Sequence, residues 1–121
     1  MKGVAAKSKR STTPLPGRRV RGSKTGRPLM AALDLLGRRF ALRVVWELRD
    51  GPLSFRELAV RCGGVSPSSL NTRLRELREA GLVDGSPYAL SAQGRSLLEA
   101  LGPLASWAQH WKPAPRGAHD P

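Results

Sequence analysis

The sequence predicts a mainly α-helical domain carrying one small β-hairpin. Three observations predict it. Apolar residues recur at helical spacing in five stretches between residues 28 and 111. Serines placed as N-caps stand before three of those stretches, at Ser54, Ser66 and Ser91. Between the fourth and fifth stretches, two very short apolar segments flank Asp84-Gly85-Ser86-Pro87, which is hairpin-turn chemistry.

Leu29, Met30, Leu33 and Leu36 make a first helix that Gly37 stops. A second helix begins at Arg38 and Arg39 and carries Phe40, Leu42, Val44, Val45 and Leu48 on its apolar side. Asp50-Gly51-Pro52 is a turn. Ser54-Phe55-Arg56-Glu57 fits a capping box, in which the serine oxygen takes a backbone N–H and the glutamate reaches back. It opens a short helix with Phe55, Leu58, Ala59 and Cys62 on one side, broken by Gly63-Gly64. Ser66-Pro67 starts a fourth helix, with Leu70, Leu74 and Leu77 as its stripe and Gly81 at its end. Leu82-Val83 and Tyr88-Ala89-Leu90 form the hairpin. Ser91 caps a last helical region bearing Leu97, Leu98, Leu101, Leu104, Trp107 and Trp111, which Pro103 interrupts.

Charge divides the chain. Of 21 Lys and Arg against 9 Asp and Glu, nine basic residues and no acid fall in 1–27: Lys2, Lys7, Lys9, Arg10, Arg18, Arg19, Arg21, Lys24 and Arg27. The rest holds 12 basic residues and all 9 acids, a net of only +3 within the total of +12. Residues 1–27 lack the large apolar side chains needed to offset ordering entropy, so a disordered basic arm is expected there. The domain is expected over 28–111, and a frayed tail over 112–121. Such a charge points to phosphates or an anionic surface as partner.

Two helices joined by a tight glycine turn form a helix-turn-helix, and a hairpin after the second helix adds a wing. The fold class is therefore a winged helix-turn-helix. On the helix spanning 67–80, Ser68, Asn71, Thr72 and Arg75 lie on or toward the side opposite Leu70, Leu74 and Leu77. Asparagine reads adenine and arginine reads guanine or holds phosphate in a major groove. Ser66, Ser68 and Ser69 are phosphate candidates at the helix start.

From Arg27 to Trp111 the chain resembles the HxlR-type regulators, a branch of the MarR-like winged-helix proteins. The matching stretches include Leu33-Asp34-Leu35-Leu36-Gly37, Phe55-Arg56-Glu57-Leu58, Leu74-Arg75-Glu76-Leu77, Ala80-Gly81-Leu82-Val83 and Tyr88-Ala89-Leu90-Ser91. The resemblance implies a homodimer on a pseudo-palindromic operator. Its contacts would come from Leu29, Met30, Leu33 and Leu36 of the first helix and from Leu97, Leu101, Leu104, Trp107 and Trp111 near the C-terminus. Relatives carry a basic residue at the position of Arg39, so Arg39 is expected on a backbone phosphate, and Arg56 is a weaker candidate for the same role. Two departures matter. Where many relatives have Cys-Pro before the first helix, this chain has Arg27-Pro28, and its single cysteine, Cys62, reads as a buried structural thiol. The wing is short and holds no basic residue, so Arg18, Arg19 and Arg21 of the arm are expected to enter a minor groove in its place.

Other classes find little support. His110 and His119 lack an evident triad partner, no Cys/His cluster has zinc spacing, and Gly63-Gly64 is too short for a phosphate-binding loop. No enzyme activity, metal or cofactor is expected, and no small-molecule effector is implied. No membrane partner is expected either, since no apolar run approaches the ~20 residues of a span. The basic N-terminus lacks the apolar core of a secretion signal, and a lone cysteine fits a reducing compartment, so a cytoplasmic, nucleoid-associated protein is expected. Three functions remain open at this point: a sequence-specific regulator of double-stranded DNA, acting as a repressor; a nonspecific architectural nucleic-acid binder driven by the arm; and a winged-helix protein-interaction module.

Overall fold

The computed structural model describes residues 12–116. The basic residues Lys2, Lys7, Lys9 and Arg10 and the histidine His119 lie outside the described residues. The elements run α1 (Pro28–Leu36), α2 (Ala41–Glu47), α3 (Phe55–Cys62), α4 (Pro67–Glu79), β1 (Val83–Asp84), β2 (Ala89–Leu90), α5 (Ala92–Ala100) and α6 (Gly102–His110).

Local chemistry sets most of the boundaries. At α3 both halves of the capping box form: the Glu57 N–H donates to Ser54 Oγ at 3.1 Å, and the Ser54 N–H donates to Glu57 Oε1 at 2.8 Å. Gly63 and Gly64 follow with φ of +48° and +76°, where a Cβ would be strained, and this makes the sharp turn into α4. Ser66 caps α4 by accepting from the Ser69 N–H at 3.1 Å, and Ser91 caps α5 through the Gly94 N–H at 3.0 Å. Pro103 sits in the first turn of α6, so it starts a separate helix rather than bending a long one.

The apolar faces of these helices meet in one core. Leu35 of α1, Val44 and Val45 of α2, Leu48, Leu53, Leu58 and Cys62 of α3, Val65, the α4 stripe Leu70, Leu74 and Leu77, and Val83 and Leu90 of the hairpin are all buried together. The hairpin is antiparallel, with Val83 opposite Leu90 and Asp84 opposite Ala89. Leu53 joins its edge through reciprocal backbone bonds with Tyr88, both 2.9 Å, which pins the wing to the turn before α3. One polar cluster on α4 is buried. Glu76, 3% exposed, faces Arg38 at 2.6 Å and Arg73 at 3.2 Å.

The expected disorder of residues 12–27 is corrected. The segment is hydrogen-bonded along its length and packed on the domain as a strap. The Gly17 N–H donates to Gly26 O at 2.9 Å, and Val20 and Ser23 pair as a bridge. Thr13 is 3% exposed and its hydroxyl donates to Glu79 Oε1 at 2.9 Å, while Arg38 donates to Thr12 O at 3.2 Å. Long-range polar contacts, which composition does not reveal, join the buried Pro14 in holding the segment down. Residues 112–116 carry no helix or strand and are exposed.

Candidate nucleic-acid interface

The α3–turn–α4 unit presents one side of α4 to solvent. Ser68, Asn71 and Arg75 are exposed, whereas Leu70, Leu74 and Leu77 hold the opposite side in the core. Thr72 is half-buried, and its hydroxyl donates back to Ser68 O at 3.0 Å, so its O–H is already used within the helix. Ser66 spends its oxygen on the cap, and its hydroxyl lies 3.4 Å from that of Ser68. The Ser69 N–H is consumed by that cap, Pro67 has none, and Leu70 donates to Ser66 O at 2.9 Å. The Ser68 N–H is the amide left at this helix start to meet an anion.

The cations sort into two sets. Arg18, Arg38, Arg43, Arg49, Arg61 and Arg73 each lie within 4.0 Å of a carboxylate. Among the described residues Arg19, Arg21, Lys24, Arg27, Arg39, Arg56, Arg75, Arg78, Arg95, Lys112 and Arg116 have no carboxylate within that distance. Arg38 and Arg39 lie in the turn before α2 rather than in the helix. Phe40 adopts a left-handed φ of +69° there, and the neighbouring arginines part company. Arg38 turns inward to Glu76, while Arg39 is exposed with its guanidinium 5.2 Å from the Phe40 ring centroid.

Arg18, expected in a minor groove, is engaged within the chain. Its guanidinium donates to Thr13 O at 2.9 Å and lies 3.7 Å from Glu79, at the C-terminal end of α4. That end is the opposite one from the capped start. Arg19 and Arg21 are exposed on the strap, and the Arg21 N–H is held by Asp34 at 3.1 Å.

Cys62 is buried, and desolvation pushes its thiol above the usual range, with Arg43 opposing and Glu47 reinforcing the shift. Glu57 is held below its ordinary value, chiefly by the Ser54 backbone N–H and then by the Ser54 hydroxyl. Neither group is placed for catalysis. Among the described residues no three His, Cys, Asp or Glu side chains cluster as a metal site, and no helix is long and apolar enough to cross a membrane.

The apolar residues expected at a dimer contact divide. Leu36 and Leu97 pack against the core from its edge. Met30 and Leu101 are half-buried. Leu29, Leu33, Leu104, Trp107 and Trp111 are exposed, at 69%, 57%, 53%, 56% and 61%. Trp107 and Trp111 stack on each other with centroids 5.3 Å apart.

A helix-turn-helix with a pinned hairpin has known counterparts, and the match is direct. The sequence profile of the HxlR-like helix-turn-helix family fits residues 35–116. The chain belongs to the HxlR-like helix-turn-helix family. Similar HxlR-like relatives include the uncharacterized HTH-type transcriptional regulator Rv3095 of Mycobacterium tuberculosis, 35% identical over 82% of this chain and 65% of that protein. YvaP of Bacillus subtilis, another HTH-type transcriptional regulator, is 32% identical over 66% of this chain and 82% of its own. The chain thus spans about two thirds of the mycobacterial relative's length. The crystal structure of quinone-bound YodB from Bacillus subtilis is similar with a TM-score of 0.65 and 28% identity, covering 69% of this chain and 97% of that one. These relatives are transcription regulators and not enzymes, and the chain has their DNA-binding type of fold.

Sequence reasoning missed Arg78 and the strap. Arg78 stands three residues after Arg75 on the same side of α4, a spacing that was legible, but its partners are on the hairpin.

Proposed function

We propose that this HxlR-like chain is a sequence-specific regulator of double-stranded DNA that acts as a homodimer and represses transcription. The exposed stripe of Ser68, Asn71 and Arg75 on a buried, capped helix carries the reading. Its Arg75 lacks a carboxylate partner among the described residues, so the cation is available to an external anion or base. Asn71 reads a base edge, Thr72 offers a base its methyl group while its hydroxyl stays on Ser68 O, and Arg75 reads a guanine or holds a phosphate. Arg39, Arg56, Ser68 and Ser69 hold the backbone. The protein works in the cytoplasm, on the nucleoid.

The dimer is supported by α6. It carries Leu104 and Trp107 and abuts Trp111, yet none of its residues is buried within one chain. Stacked indoles with a leucine neighbour form an apolar face that a second copy would cover, together with Leu29 and Leu33 of α1. Repression follows from occupancy: a dimer seated on two major-groove half-sites excludes other proteins from the same face of the duplex.

The test titrates the full chain against a duplex bearing its selected site and against a scrambled duplex, each over a salt series. A large affinity ratio that persists with salt is expected. Equal affinities with a steep salt slope would instead indicate a nonspecific architectural binder, and absence of binding a protein-interaction module.

A further inference from the structure

The hairpin between β1 and β2 is poorly made for DNA on its own residues. Residues 84–87 carry one formal charge, Asp84, and it is negative and exposed. An acidic wing tip beside a polyanion is repelled. The structure places a cation there from a different element. Arg78, in the last turn of α4, donates from Nη2 to Gly85 O at 3.0 Å, and its guanidinium lies 5.3 Å from the Tyr88 ring centroid. Tyr88 is itself held in place by its two backbone bonds to Leu53. The backbone that carries the ring is therefore fixed.

We infer that Arg78 is the DNA contact of the wing, and that it grips a backbone phosphate at the outer flank of each half-site. This rests on the DNA-binding reading above. The chemistry fits a phosphate. One of the five N–H donors goes to Gly85, which leaves the others for a phosphate. Arg78 is exposed, and no carboxylate among the described residues neutralises it. It is also in line with the reading face, since positions 71, 75 and 78 succeed one another at helical spacing. A side chain held by the Gly85 carbonyl and the Tyr88 ring loses less rotamer freedom on binding than a free arginine does. Tyr88 and Gly85 are positioning residues that act through Arg78.

The experiment measures binding of the full chain to its selected duplex by fluorescence anisotropy over a salt series, with ethylation interference to locate the phosphate. Arg78→Ala should lower the log–log salt slope by about 0.9 for each protomer, so by about 1.8 for a dimer on two half-sites. At 0.1 M salt, one decade below a 1 M reference, each lost contact corresponds to about an eightfold loss of affinity. Interference at one flanking phosphate per half-site should disappear in the variant. Arg78→Lys should keep the slope and lose affinity, because charge survives without the fork. Tyr88→Leu should also keep the slope while weakening binding. Arg78→Gln, which retains a donor for Gly85 without the charge, serves if the alanine variant melts early, and should lose the same slope. An unchanged slope in both neutral variants overturns the inference. So does a loss confined to A·T-rich flanks, which would make Arg78 a minor-groove reader instead. If the wild-type chain binds neither its selected duplex nor a scrambled one, the DNA-binding reading fails, and this inference with it.

Discussion

Replacing Arg38 and its neighbour Arg39 by glutamine, one at a time, should separate a structural charge from a DNA-binding one across a single peptide bond. Arg38 faces Glu76 at 2.6 Å, and the Glu76 side chain is only 4% exposed. Removing one partner of a buried ion pair typically costs about 3–5 kcal/mol, because the remaining charge stays desolvated. Two features lower that figure here. Arg73 stays 3.2 Å from the other carboxylate oxygen, and the Arg38 side chain is itself 27% exposed. A loss of about 2 kcal/mol follows. For a domain of this size that lowers Tm by about 10 °C. Arg39 has no carboxylate within 4.0 Å among the described residues and rests on Phe40, so Arg39→Gln should leave Tm nearly unchanged. Its signature is electrostatic: a salt slope shallower by about 0.9 per protomer. The assay pairs thermal unfolding by circular dichroism, at fixed protein concentration, with anisotropy titrations over a salt series. The reasoning is refuted if Arg38→Gln melts with the wild type, or if Arg39→Gln leaves the slope untouched.

Three further outcomes follow from the same geometry. Asn71→Ala should cost about 1–3 kcal/mol on the selected duplex and little on a scrambled one, measured by competition titration; equal losses on both would remove its base-reading role. Trp107→Glu or Leu104→Glu should give a monomer by light scattering with much weaker operator binding, and a variant that remains dimeric would place the contact elsewhere. Cys62 should resist iodoacetamide in the native state and react once unfolded. Because its folded pKa is raised, the unfolded chain alone releases the proton first, so stability should fall as pH rises through the ordinary thiol value, as a guanidinium melt at several alkaline pH values would read.

Much of the domain was legible because its signals are local. The capping box at Ser54 and Glu57, the Ser66-Pro67 start of α4 and the glycine pair between α3 and α4 each lie within a few residues of what they determine. The reading stripe on α4 follows from helical spacing alone, once Leu70, Leu74 and Leu77 are assigned to the core. What could not be read depends on partners far along the chain. Thr13 meets Glu79 across 66 positions, and Arg38 meets Glu76 across 38. Neither pairing leaves a trace in a sequence window, so the strap looked like a free arm and Arg38 looked like Arg39. Glu76 is the sharpest case. Set between Arg75 and Leu77, it reads as a solvated charge, yet it is buried, because the turn before α2 delivers a guanidinium to it. Pro103 shows the opposite limit, since a helix interrupted and a helix restarted leave the same sequence mark.

Selection of bound duplexes from a random-sequence pool by the full chain tests the central claim most directly. The account predicts enrichment of an inverted repeat whose half-sites are centred about one helical turn, roughly 10 base pairs, apart, and loss of that enrichment with Asn71→Ala and Arg75→Ala together. A pool that stays random after repeated rounds, while still binding at low salt, would contradict it.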